Sequence, residues 1–108
     1  MRGKKKMGIY MLTVWYPPDK NPDMAKLYLK QPREIPFVSK WRVYNTTGGI
    51  NGIKQYHLIY TERGKAEEAM GAINKYFMPF LMIEGFRYLA EPLMGVSDSY
   101  ALMGMKWD

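Results

Sequence analysis

IKQYHLIYTERGKAEEAMGAINKYF, residues 53–77, holds one strand and one helix with a clear break between them. Residues 53–60 are rich in β-branched and aromatic side chains, and the run stops at Thr61-Glu62-Arg63-Gly64, where the hydrophobic period changes. From there the apolar residues fall at Ala66, Ala69, Met70, Ile73 and Phe77, the spacing that lines one face of a helix. The stretch therefore predicts a strand over 53–60 and a helix from about Gly64 or Lys65 to Phe77, ended or kinked by Pro79.

Working towards the N-terminus, Phe37–Asn45 reads as a further strand, with Trp41 and Val43 on one side and Lys40, Arg42 and Tyr44 on the other. The TTGGING segment between the two strands supplies the positive-φ residues of a reversing loop, so they form a hairpin. Upstream, Asn21-Pro22-Asp23 offers a capping side chain, a proline suited to the first helical position and an acid for the positive end of the dipole. Met24, Leu27 and Tyr28 then share a face of a short helix bounded by Pro32 and Pro36. Ile9–Tyr16, IYMLTVWY, is the first strand; both of its alternating sets are apolar, so it is expected to be covered on both sides. Downstream of Pro79 an apolar run leads to Gly85, and the reading of 87–107 is strand: one at Leu93–Val96 and another at Tyr100–Met105, turning at Ser97-Asp98-Ser99, or one bulged strand across both.

The chain of 108 residues suffices for one core, so residues 9–108 are expected to form one domain. Residues 1–8 form a basic tail expected to be disordered, with Met7 as an alternative start. Nine tyrosines, three tryptophans and four phenylalanines exclude a disordered class for the rest. The net charge of +6 is concentrated at the start. Arg2, Lys4, Lys5 and Lys6 carry four of the sixteen basic side chains, so twelve remain against ten acidic ones from Met7 onward, and the body is nearly neutral. No apolar run has the length of a membrane span, and IYMLTVWYPP after the basic residues is too broken for a secretory signal. Without cysteine there is no disulfide framework and no thiolate chemistry, and a cytoplasmic setting is expected.

The element string is β-α-β-β-α-β, the split arrangement in which two helices lie on one face of a four-stranded antiparallel sheet. That leaves the opposite face bare, and a doubly apolar first strand would then expose a broad greasy surface unless two sheets meet across a twofold axis. In this order, in its length, in the TTGGING hairpin and in IYMLTVWY, the chain resembles the ferredoxin-like dimeric α+β barrel superfamily. The resemblance spans Ile9 to Trp107 and is one of topology and patterning. It implies a homodimer paired through the sheet face, with a small apolar or aromatic ligand in a cleft between sheet and helices. It further implies activities such as those of cofactor-independent monooxygenases and isomerases, so that no cofactor is expected; whether this chain is an enzyme stays open.

Candidate chemistry is sparse. His57 is the lone histidine and the candidate proton handler. It shares a strand side with Ile53, Gln55 and Ile59, opposite Tyr56, Leu58 and Tyr60. With the more apolar set turned to the helices, His57 is expected to face the partner sheet. Trp15, Tyr16, Trp41, Tyr44, Tyr56 and Tyr60 are candidate walls of an aromatic ligand cleft, and Arg42 a candidate for pairing with an acidic ligand or stacking on a ring. A metal site is not expected, because Glu62, Glu67 and Glu68 sit where they favour a helix dipole. Gly48-Gly49 with Gly52 lacks the lysine-serine pair and the helix of a phosphate loop.

Beside the ligand-binding barrel stands a second class, an RNA-binding module with aromatics on its central strands and a basic N-terminal arm. In KQYHLIY, however, Gln55 and His57 stand where that motif takes a small residue, and the near-neutral body weighs against nucleic acid. A dimeric scaffold without ligand is the third alternative.

Overall fold

The computed structural model describes residues 7–46 and 52–106. It is an α+β fold in which β1 (Ile9–Tyr16), α1 (Asn21–Lys30), β2 (Val38–Thr46), β3 (Ile53–Thr61), α2 (Ala66–Phe77), β4 (Arg87–Leu93) and α3 (Val96–Leu102) follow in order. The four strands form one antiparallel sheet in the order β2-β3-β1-β4. This architecture is compatible with the ferredoxin-like arrangement. Residues 1–6 of the basic tail and most of the reversing loop lie outside the described residues, while Met7 and Gly8 are within them. Gly52 is inside them with φ +93°, and a Cβ there would stand 2.7 Å from the Tyr16 carbonyl oxygen, so the hairpin closes against the end of β1 only with glycine at that position.

Register decides the faces. Leu12 pairs with His57 and Ala90, and Val14 pairs with Gln55 and Tyr88, so these side chains share the side that α1 and α2 cover. The core there joins Leu12, Val14, Tyr16 and Ile59 of the sheet to Met24 of α1 and Ile73 and Phe77 of α2. Phe80, in the tight 3-10 turn Met78–Met82 that follows α2 at Pro79, closes it together with Phe86. Ring stacks run through the layer, with Phe77 set 5.4 Å from Tyr88 and 5.6 Å from Phe80 between centroids.

Four sequence expectations change. Asn21 does not cap α1: the helix starts without a side-chain cap, and the Asn21 Oδ1 accepts a hydrogen bond from the Tyr16 hydroxyl at 3.0 Å instead. The last strand is Arg87–Leu93, earlier than the pattern suggested, with Pro92 tolerated because β4 is an edge strand. Val96–Leu102 is a helix, so Ser97-Asp98-Ser99 forms its first turn and no strand occupies Tyr100–Met105. The fourth change concerns His57. Its strand set turns toward the helices, where Gln55, His57, Ile59 and Thr61 are all buried, and Tyr56, Leu58 and Tyr60 occupy the other side.

Candidate functional site

Three polar side chains on the buried face of β3, Gln55, His57 and Thr61, must find partners within the protein, because water does not reach them. Thr61 does so locally: its hydroxyl accepts from the Gly8 N–H at 2.9 Å and donates to the Gly8 carbonyl at 3.3 Å. His57, only 1% exposed, is enclosed by Trp41 from β2, Tyr28 from α1 and Phe77 from α2. The Trp41 indole donates to its Nδ1 at 2.9 Å, and its Nε2 lies 3.2 Å from both the Tyr28 hydroxyl and Gln55 Oε1. Tyr28 donates to the same Oε1 at 2.8 Å, and the Gln55 nitrogen donates to the Tyr16 hydroxyl at 3.4 Å. One chain of hydrogen bonds thus runs from Trp41 to Asn21 across three strands and a helix.

Burial sets the protonation of this chain. It lowers the His57 pKa to about 4, so the ring is neutral at pH 7. It raises that of Tyr28 above the normal phenol range, with the neighbouring Tyr76 and Tyr16 adding to the effect, and raises those of Tyr16 and Tyr76 as well. Both His57 nitrogens are within hydrogen-bond distance of protein groups.

The chain ends at a cleft. Between α1, the end of β2 and the start of β3 lies a space of about 590 Å³ with Met24, Ala25, Pro18 and Ile53 as apolar walls and Tyr16, Tyr28, Gln55, Asn21, Asn45 and Thr46 as its polar groups. Apolar walls with a few converging polar atoms are the usual make-up of a small-molecule site. A smaller space of about 260 Å³, lined by Arg33, Trp41 and Tyr76, lies on the other side of Tyr28. The Gln31 amide donates to the Tyr76 carbonyl beside it, tying the end of α1 to α2.

The predicted ligand residues divide between the two faces of the sheet. Trp41 and Tyr16 are on the covered side, with Val43. Trp15, Arg42, Tyr44, Tyr56 and Tyr60 are on the open side, so the candidates do not gather in one cleft between sheet and helices. On that open side Lys54 lies 5.7 Å over the Trp15 ring and 5.2 Å over Tyr56, Arg87 5.7 Å over Trp15, and Lys40 5.5 Å over Tyr60. Leu58, Met11 and Leu89 lie between these rings, and Glu91 is the one carboxylate on the face. Of the expected aromatic walls Tyr16 lines the cleft beside α1, whereas Gln55, Tyr28 and Asn21 were not predicted. The available signal was the pair of polar residues two apart in IKQYHLI, which marks a buried network once the face is known.

Among the described residues no three histidine, aspartate or glutamate side chains come together in a form suited to a metal ion, and no helix is long and apolar enough to cross a membrane. In comparisons with known proteins, no family model, no curated protein and no solved structure matches the chain.

Proposed function

We propose that the protein is a dimeric α+β barrel that binds a small apolar or aromatic molecule in the cleft between α1 and β3. The observation that carries this reading is the cleft itself, where Met24 and Ile53 furnish apolar walls and Gln55, Tyr28 and Tyr16 form a polar end held by its own hydrogen bonds. The cleft is on the helix side, so pairing through the open side leaves it accessible. His57 acts by positioning Gln55 and Tyr28. Any proton transfer in a monooxygenase- or isomerase-type reaction would pass through the Tyr28 or Tyr16 hydroxyl at the cleft.

The open side supports a second copy as its occupant. Four strands of about eight residues present a surface of about 19 by 26 Å, roughly 500 Å² in projection. A stable dimer buries about 800 Å² per partner, and the exposed apolar residues Met94, Val96, Leu102 and Met103 next to that side extend it toward this size. A groove lined by Ile9, Leu93, Ala101 and Leu102 joins α3 to the sheet face. The Lys54 ammonium and the Arg87 guanidinium lie over the Trp15 ring, which keeps these charges off the Met11, Leu58 and Leu89 centre of the face. Sedimentation at rising concentration is the test: the dimer is expected, and Leu58→Asp, in the middle of the face, is expected to yield a folded single copy. A wild-type chain that stays single at millimolar concentration would sink the barrel.

A second reading draws on the same side. Trp15, Tyr44, Tyr56 and Tyr60 with Lys40, Arg42, Lys54 and Arg87 make a basic, ring-bearing sheet surface, which suits stacking of single-stranded RNA. The two readings compete for one face. Salt-sensitive binding of a labelled oligouridine that is lost in Tyr56→Ala would favour RNA over the second copy.

A further inference from the structure

The polar end of the cleft has a direction, and the residues behind it impose that direction. An indole N–H only donates, so His57 Nδ1, 2.9 Å from Trp41 Nε1, is an acceptor. The neutral ring then carries its proton on Nε2, facing Gln55 Oε1 and the Tyr28 oxygen at 3.2 Å each. The Tyr28 hydroxyl donates to that same Oε1. Two donors converging on one end of the carboxamide hold its oxygen there. Turned over, the amide would set N–H against N–H and leave the Tyr28 proton without an acceptor.

The Gln55 nitrogen is therefore turned toward Tyr16, to which it spends one proton. Its second proton has no acceptor among the described residues, although Gln55 is only 7% exposed and lines the cleft. A donor buried to that degree is costly when unpaired. No residue lining the cleft carries a charge. A carboxylate entering it would lose its hydration without gaining a counter-ion, whereas a neutral acceptor would satisfy the free proton.

We infer that the cleft takes an uncharged apolar carbonyl compound, such as an aromatic ketone, enone or quinone, whose oxygen accepts the second Gln55 amide proton. The inference rests on the cleft being the ligand site and adds the chemical class of its occupant. Gln55 is the binding group. His57 and Trp41 are positioning residues, which act by fixing the orientation of its amide.

The test uses three probes of similar shape on the full chain, followed by calorimetry: acetylnaphthalene, ethylnaphthalene and naphthoate. The ketone is expected to bind about tenfold more tightly than the hydrocarbon, and naphthoate least tightly. In Gln55→Met the preference for the ketone over the hydrocarbon disappears while the hydrocarbon still binds. Nitrogen NMR of the wild-type protein is expected to show His57 protonated at Nε2, and Trp41→Phe, which releases Nδ1, to shift that tautomer and weaken the ketone preference together. Equal affinity for ketone and hydrocarbon, or tightest binding of naphthoate, would overturn the assigned ligand class and leave the cleft as a site. Failure of all three probes to bind at millimolar concentration would remove the ligand reading itself. The wild-type series and the tautomer measurement hold whether or not either variant folds.

Discussion

The two sides of the sheet are built from the same strands and similar amounts of apolar surface, yet only one is finished. On the covered side Leu12 and Val14 are 0% exposed, and each buried polar side chain of β3 has at least one hydrogen-bond partner in the network or at Gly8. On the open side Leu89 is 49% exposed and the polar atoms are cationic tips leaning over rings. Neighbouring residues of β1 thus have different fates, and the strand's own hydropathy does not decide between them. The helices do: α1 and α2 bring Met24, Ile73 and Phe77 down on the side that carries His57 and Gln55.

The comparison breaks most readily at Leu12. Leu12→Ala removes a fully buried side chain beneath both helices and is expected to cost about 2–5 kcal/mol of unfolding free energy, measured by urea denaturation. A loss below about 1 kcal/mol would mean that the covered side is not the core.

His57 gives the next largest effect, and it appears as pH dependence. The folded pKa, about 4, lies below the usual 6.5, so between these values the unfolded chain binds a proton that the folded chain refuses. Stability is therefore full above about pH 6.5 and is lost as pH falls toward 4, by on the order of 3 kcal/mol in all. The groups facing the ring, Trp41, Tyr28, Gln55 and Phe77, are uncharged across that range. In His57→Gln the slope between pH 6.5 and 4 is expected to flatten, and an unchanged slope would assign it to carboxylates elsewhere.

How much of this was legible follows from the same contrast. Residues 9–16, 53–61 and 66–77 announce their elements, because period and breakers agree there at every position. Which side of β1 is covered was not legible, since Ile9, Met11 and Trp15 are as apolar as Leu12, Val14 and Tyr16. Sorting β3 by hydropathy then turned His57 the wrong way: a buried network makes the covered side of that strand the more polar one. Helix α3 was missed because Val96 favours strand and seven residues hold too few turns to show a period. The candidate site was half legible. A cleft between sheet and helices with Tyr16 among its aromatics was expected, whereas Gln55 and Tyr28 acquire meaning only once register brings them to one cleft.

The smallest effect separates the two faces most cleanly. Leu89→Ala deletes as many atoms as Leu12→Ala, from β4 beside Thr13 on the opposite side of the sheet. In a single copy half of that side chain already meets water, so the loss is expected to be within about 1 kcal/mol. If a second copy covers the open side, that small loss grows with protein concentration, because the dimer contact and the fold are then linked by mass action. Leu12→Ala carries no such dependence of its own, since its neighbours belong to the same chain. Thermal unfolding of both variants across a hundredfold range of concentration therefore separates the cases. A Leu89→Ala deficit that widens with concentration supports the second copy, and one that stays constant means that the open side meets water or another kind of partner.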